Sequence, residues 1–480
     1  MSFAALPNEL LGECFSWVAT NEADSSGTRL EKPHIKNLRL VCRRFSEVGS
    51  SYLITRLNVA LNNRSLRQLE RISNHLHFSK SVAKISINAS YRERQYALQL
   101  SQFAFVAQRK IIGWIGEPRA PSGWSTEAAE RTEFDRLDKV HRDIDAEWYK
   151  AKQHVFKREN ATERQEQLLQ AYDTYLQVYK DQESALRDGR LMRGLMAACE
   201  KFPKLTTIKF SDGRYKAASI GQGAQVWTEK DVGQPCPKGV AYATPSLNAP
   251  AFILLDLFCA LSNSNFRPRR FRVDICGAWE FFTQPFTDTQ LESIRETISQ
   301  AEHIDLRLKD FYRPFNATSN DQQGNLRAFT SAYLGSPRLK HLTLYFDPEL
   351  EYLMDTLSIG TAIALPMHSP KLESITCQAA MSFTELQLFV SSIKDTLRSL
   401  DLKDVSLSSG TWTQALEELR QFEKLEAVQL TFAEAIFDWS VVGEVTVLTR
   451  AMRERIHDYI LRRTGICPID DDWVPPDRNG

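Results

Sequence analysis

Six short segments of one kind recur along this chain and restrict its fold more than any other feature. They are Phe202–Phe210, Ala301–Leu308, Ser336–Leu344, Ser369–Ile375, Asp395–Leu402 and Phe422–Leu430. Five of the six keep at least part of the core L-x-x-[LIV]-x-[LF]. Apolar residues two apart line one face of a strand, because successive side chains point to opposite sides. Helical patterns fall between the segments, for example over 383–393 and 412–422. The leading leucines Leu339, Leu372, Leu397 and Leu425 are 33, 25 and 28 residues apart. A single strand with a helix behind it cannot bury its apolar face alone, so such units must stack on their neighbours. The expected fold is therefore mixed α/β, an irregular solenoid over residues 201–470.

The rest of the chain divides around that array. Residues 57–90 have the same rhythm in miniature. Leu57, Val59 and Leu61 alternate, Ser65 caps a helix through Leu66, Leu69, Ile72 and Leu76, and Val82, Ile85 and Ile87 alternate again. Residues 91–200 read as a helical insert. Between 125 and 188 two amphipathic stripes, Phe134 to Val155 and Leu168 to Tyr179, predict two long helices in an antiparallel hairpin. Thr162 and Gln165 have the spacing of a capping box at the second start. A solvated spacer is the simpler role for this hairpin, and a dedicated partner surface the alternative. Residues 211–250 are rich in glycine and proline and read as loop. Residues 471–480 form a tail. The strand segments with helices behind them read as degenerate leucine-rich repeats.

Chemistry-bearing motifs are missing from the sequence. There is no H-E-x-x-H, no G-x-S-x-G, no phosphate-binding G-x-x-x-x-G-K-[ST] and no strand-linked G-x-G-x-x-G. The eight cysteines form no C-x-x-C pair, so neither zinc nor dithiol chemistry is indicated. His75 and His77 read as helix-end residues, and Cys14 and Cys42 as small core residues. The expectation is a non-catalytic chain with no metal or cofactor. With 60 Lys+Arg against 60 Asp+Glu, the formal net charge is zero. That argues against bulk nucleic acid as the partner and leaves room for local basic patches. The start MSFAALPNELL lacks the basic and apolar regions of a secretory signal, and no apolar stretch reaches bilayer length. No membrane partner is expected, and a cytoplasmic or nuclear location is.

Residues 1–56 are helical in pattern. Leu10, Leu11, Cys14, Phe15 and Val18 draw a wide apolar stripe, Asn21 to Pro33 reads as a loop, and a second helix runs through Ile35, Leu38, Val41, Cys42 and Phe45 to about Gly49. A third short piece is expected over 51–56. On the second helix Leu40 points away from the main stripe. A helix apolar on two sides packs against two things: Leu40 either docks on the following repeats or faces another chain.

Leu6-Pro7-Asn8-Glu9-Leu10-Leu11, Cys14-Phe15 and Leu38-Arg39-Leu40-Val41-Cys42-Arg43-Arg44-Phe45 together resemble the F-box. Its pattern is LP-x-E-[LI]-L-x-x-I-F followed by L-R-L-V-C-[KR]-x-[FW]. Residues 57 to 87 also look like the opening repeat of fungal F-box proteins. The linker between the two halves is about a dozen residues longer here than is usual for that family, a change that costs little closure entropy. The resemblance implies a three-helix unit that binds the small linker subunit of SCF (cullin–RING) ubiquitin ligases and, through it, cullin. The repeats would then hold an unknown protein substrate. By the same resemblance Leu6, Pro7, Leu10 and Phe15 are interface and support positions of the first half. Leu38, Leu40, Val41, Cys42 and Phe45 are those of the second. A repeat scaffold that binds the linker protein without promoting ubiquitylation is the alternative.

Overall fold

The computed structural model describes residues 6–24, 33–105, 146, 161–212, 248–276, 281–309, 320–347, 358–363, 365, 370–378, 380–432 and 450–469. Alternating apolar residues build nine parallel strands: β1 (Arg56–Ala60), β2 (Lys84–Asn88), β3 (Thr207–Ser211), β4 (Arg270–Cys276), β5 (His303–Lys309), β6 (His341–Asp347), β7 (Ser374–Gln378), β9 (Ser399–Leu407) and β10 (Ala427–Phe432). They pair strictly in chain order, and the short β8 (Ala380–Met381) joins the side of β9. The fold is mixed α/β and solenoid-like.

Register turns the sequence pattern into two apolar ladders. Leu57, Ile85, Ile208, Phe271, Ile304, Leu342, Ile375, Leu400 and Val428 are successive partners across the sheet. Two residues on, Val59, Ile87, Phe210, Val273, Leu306, Leu344, Cys377, Leu402 and Leu430 form the second. Every one of these is buried. A layer of helices covers that face: α4 (Asn63–Ser73), α7 (Arg190–Lys201), α8 (Asn248–Ser262), α9 (Asp288–Ile298), α10 (Asn320–Tyr333), the short α11 (Ile359–Ala362), α12 (Phe383–Ile393), α13 (Trp412–Leu419) and α14 (Arg450–Ile460). Side chains of both layers join one large core, as stacked repeats require. The other face of the sheet carries the alternate, polar positions.

Strand β4 was not among the six segments. Its ladder residues Phe271 and Val273 fit the pattern, but buried Pro268 takes the place of the leading leucine. The cap of α4 also differs from expectation. The Asn62 side chain accepts from the Ser65 backbone at 2.8 Å, while the Ser65 hydroxyl accepts from Ala60 N at 2.9 Å. Asparagine reaches the third amide of the helix from the extended backbone that an N-cap needs.

Helix α6 (Glu163–Arg187) opens with the expected Thr162–Gln165 capping box. Its stripe of Leu168, Tyr175 and Tyr179 is buried, not solvated. It packs on Tyr96, Ala97 and Phe103, which belong to α5 (Arg94–Leu98) and to helical residues 100–105. Gln182 fastens the same segment, accepting from Arg92 N at 2.9 Å and donating to the Ser90 carbonyl at 2.8 Å. The stripe expected over 134–155 lies outside the described residues, as do most of the 211–250 loop and the 471–480 tail. Residues 248–250 are helical and open α8. No helix among the described residues is long and apolar enough to cross a membrane.

Candidate functional site

Three helices form the amino-terminal unit: α1 (Asn8–Asp24), α2 (Pro33–Leu38) and α3 (Arg43–Leu53). Helix α1 continues through Asn21–Asp24, so the expected loop starts later; its residues 25–32 lie outside the described set. The expected second helix is broken. Residues 39–42 make a turn in which Leu40 N donates to Asn37 O and Val41 N to Leu38 O. Cys42 is extended at φ −160°, ψ 167°, and its sulfur accepts from Phe45 N at 3.5 Å, so it caps α3. The pieces expected over 43–49 and 51–56 are consequently one helix with Gly49 inside it; that helix ends at Leu53, and Arg56 already belongs to β1. A Cβ at Gly49 would lie 2.7 Å from the Phe15 ring and 2.8 Å from Arg39 Cγ, and this close approach is why the position is glycine.

The unit has a small core of its own: Leu11, Phe15, Ile35 and Phe45, flanked by Val18, Leu38, Val48, Tyr52 and Leu53. Phe15 meets Phe45 edge-on at 5.6 Å and stacks on Tyr52 at 6.2 Å. Arg44 joins the start of α3 to the start of α1, donating to the Leu6 carbonyl and, at 2.8 Å, to Asn8 Oδ1. Arg39 lies 5.7 Å over the Phe78 ring, which itself packs against the sheet core. Hairpin and array are therefore in contact.

With that core closed, an apolar ridge remains outside it. Leu40 is 85% exposed, Val41 65%, Trp17 69% and Leu10 48%. Cys14 and Cys42 are exposed as well, which corrects their expected place in the core. Leu10, Cys14 and Trp17 follow one another at four- and three-residue steps and share one face of α1. Leu40 and Val41 occupy the turn just before Arg44. Charged residues are chain neighbours of these positions: Glu9 and Glu13 are exposed, and Arg43 pairs with Glu47 at 3.1 Å.

The nine residues singled out from the sequence therefore separate by role. Leu10, Leu40, Val41, Cys42 and Pro7 face outward, Leu6 and Leu38 are half-buried, and Phe15 and Phe45 are interior supports. Cys14 and Trp17 join the outward group without having been singled out; their step from Leu10, offset from the buried Leu11 and Phe15, was the available signal. Exposed apolar residues interspersed with charged ones are the composition of a protein interface, and exposed apolar patches mark interaction sites.

A second surface lies on the open face of the sheet. Lys209, Asp274, Arg272, Asp305 and Arg307 form a chain of ion pairs across β3, β4 and β5, with N–O distances of 3.7, 3.2, 3.2 and 2.9 Å. Lys209, Arg272 and Asp305 of that chain also line a cavity of about 660 Å³, whose rim carries Arg56, Lys84, Arg269, Arg270, Glu302, His303 and His341. The His303 and His341 rings stack at 4.1 Å. Burial, His341 and Arg270 hold the His303 imidazole down at about 4. Burial, with Arg56 and Arg272 nearby, lowers the Lys84 ammonium from its ordinary value. Among the described residues no group of His, Cys, Asp and Glu has the arrangement of a metal site. His75, read from the sequence as a helix-end residue, stacks on Phe78 at 4.0 Å, and its Nδ1 accepts from His77 N and Phe78 N. No protein-family model matches this chain, and no curated protein matches its sequence.

Proposed function

We propose that this chain is a non-catalytic adaptor of the SCF type: an F-box hairpin that binds the linker subunit of a cullin–RING ubiquitin ligase, joined to leucine-rich-type repeats that hold a protein substrate. The observation that carries this reading is the exposure of Leu40 and Val41 on a turn of a unit whose own core is already closed. Among the described residues those apolar side chains belong to no buried core. Leu10, Cys14 and Trp17 extend the surface, while Phe15 and Phe45 hold it in shape. The mechanism is proximity. An adaptor that engages linker and substrate together raises the effective concentration of a substrate lysine beside a charged ubiquitin-conjugating enzyme.

The test is co-purification of the full chain with the linker subunit and cullin, comparing wild type with a Leu40→Glu, Val41→Glu double variant. Both side chains are solvated, so the variant should melt at the wild-type temperature and lose the linker. Recovery of the linker at wild-type yield would refute the assignment. Proteins that accumulate when the chain is removed from cells, and are ubiquitylated when it is restored, would separate a ligase adaptor from a scaffold.

A further inference from the structure

The rim of the open-face cavity holds an imbalance of charge. Arg56, Lys84, Arg269 and Arg270 have no ion-pair partner among the described residues, whereas the neighboring Arg272 and Arg307 are both paired with aspartates. Three of the four occupy one register row: Arg56 is partnered with Lys84, Lys84 with Thr207, and Thr207 with Arg270. The row continues into His303 and His341. Glu302 and Asp305 line the cavity beyond Arg270 and end the basic stretch there, Asp305 being paired with Arg272 and Arg307. Four like charges gathered at one rim repel one another. An anionic occupant removes that repulsion.

The spacing says what kind of anion. Adjacent strands are about 4.8 Å apart, so the row from Arg56 on β1 to Arg270 on β4 spans about 14 Å. One phosphate or carboxylate group cannot reach from end to end. An extended peptide places same-side residues about 6.7 Å apart, so three of them cover the same distance. A nucleic-acid strand would match the charge but finds no free stacking platform: among the rings in the lining Phe271 is buried under the sheet, and the half-buried His303 and His341 are stacked on each other at 4.1 Å. The chain's neutral balance points the same way.

We infer that this groove holds an acidic peptide segment, an extended run with about three carboxylates at alternate positions, lying across β1 to β4 against Arg56, Lys84 and Arg270. The inference deepens the adaptor reading by naming what a substrate presents; it rests on that reading only for the substrate's fate. Binding at the groove is measured without the linker.

The experiment is fluorescence anisotropy of a labelled peptide of about ten residues, alternating glutamate and serine, titrated with the full chain. The comparisons are the same peptide with glutamine for glutamate, an oligothymidine of similar length, and inorganic phosphate as competitor. The glutamate peptide should bind about tenfold or more tightly than the glutamine one, with affinity falling as salt rises. An Arg56→Gln, Lys84→Gln, Arg270→Gln variant should weaken it by about tenfold at an unchanged melting temperature. Should that variant melt early, Arg56→Gln and Arg270→Gln singly should each weaken binding about two- to threefold. Equal binding of both peptides, wild-type affinity in these variants, or tighter binding of oligothymidine overturns the proposal. So does complete displacement by phosphate at about millimolar concentration, which would mark a point-anion site. The Leu40→Glu, Val41→Glu variant should bind the peptide normally, so failure of the groove and failure of the hairpin assignment are told apart.

Discussion

Replacing Phe15 by alanine should unfold the amino-terminal hairpin while leaving the sheet intact. Phe15 is 1% exposed, its ring fixed between Phe45 and Tyr52 and seated over Gly49. Truncating a buried phenylalanine costs about 3–5 kcal/mol through lost transfer energy and the cavity left behind. The hairpin core has four fully interior residues and is separate from the sheet core. A core of that size supplies only about 3–5 kcal/mol of net stability, so the loss matches the reserve. Hydrogen exchange of the full chain reads the outcome segment by segment. Amides of 43–53 in α3 should lose protection, and those of β5 and β6 should keep it. Leu40→Ala, at an 85% exposed position, should change protection by no more than about 0.5 kcal/mol. If Phe15→Ala leaves α3 protected, or strips β5 and β6 to the same degree, the description of the hairpin as a separately closed unit is wrong.

Other outcomes follow from single contacts. Gly49→Ala should lower stability by about 1–3 kcal/mol, because a methyl there overlaps the Phe15 ring and Arg39; thermal melts read it. Ser382→Ala removes the capping-box acceptor at the start of α12 and should cost about 1 kcal/mol by denaturant titration. Among the described cysteines a thiol reagent should modify exposed Cys14 and Cys42 first. Cys199 and Cys377, whose thiols burial pushes up to about 12, should stay inert until unfolding. Bound linker subunit should slow labelling of Cys42; unchanged kinetics with a saturating linker would count against the hairpin surface. His303 is depressed to about 4 in the folded chain, so the unfolded chain binds its proton first as pH falls. Its contribution is full above about pH 6.5 and is lost toward pH 4. His303→Gln should therefore lose less melting temperature than wild type between about pH 7 and pH 4.5; equal losses would refute the assignment.

The apolar ladders were legible in the sequence because each strand repeats a two-residue alternation that needs no distant information. Strand β4 escaped because Pro268 stands in the leucine slot, and proline there buries as well as leucine does while breaking the letter pattern. The break between α2 and α3 was not legible. Leu38 to Cys42 has no glycine or proline, and the turn depends on the Cys42 cap and on Arg44 reaching back to Leu6 and Asn8. The resemblance named both Leu40 and Val41, but the helical wheel turned only Leu40 outward and set Val41 on the buried stripe, because it assumed a continuous helix that is not there; Val41 is in fact 65% exposed. The basic row was beyond sequence reading altogether. Arg56, Lys84 and Arg270 are brought together only by strand register across more than two hundred residues.

Strand neighbors in the sheet are also neighbors in synthesis, from β1 through β10. A ribosome releasing this chain would present each strand of the nine-strand path after β1 to an edge already formed, and only the two-residue β8 has to wait for the strand after it. Order of translation and order of assembly coincide, and the hairpin with its first strands can be finished while the carboxy-terminal helices are still being made.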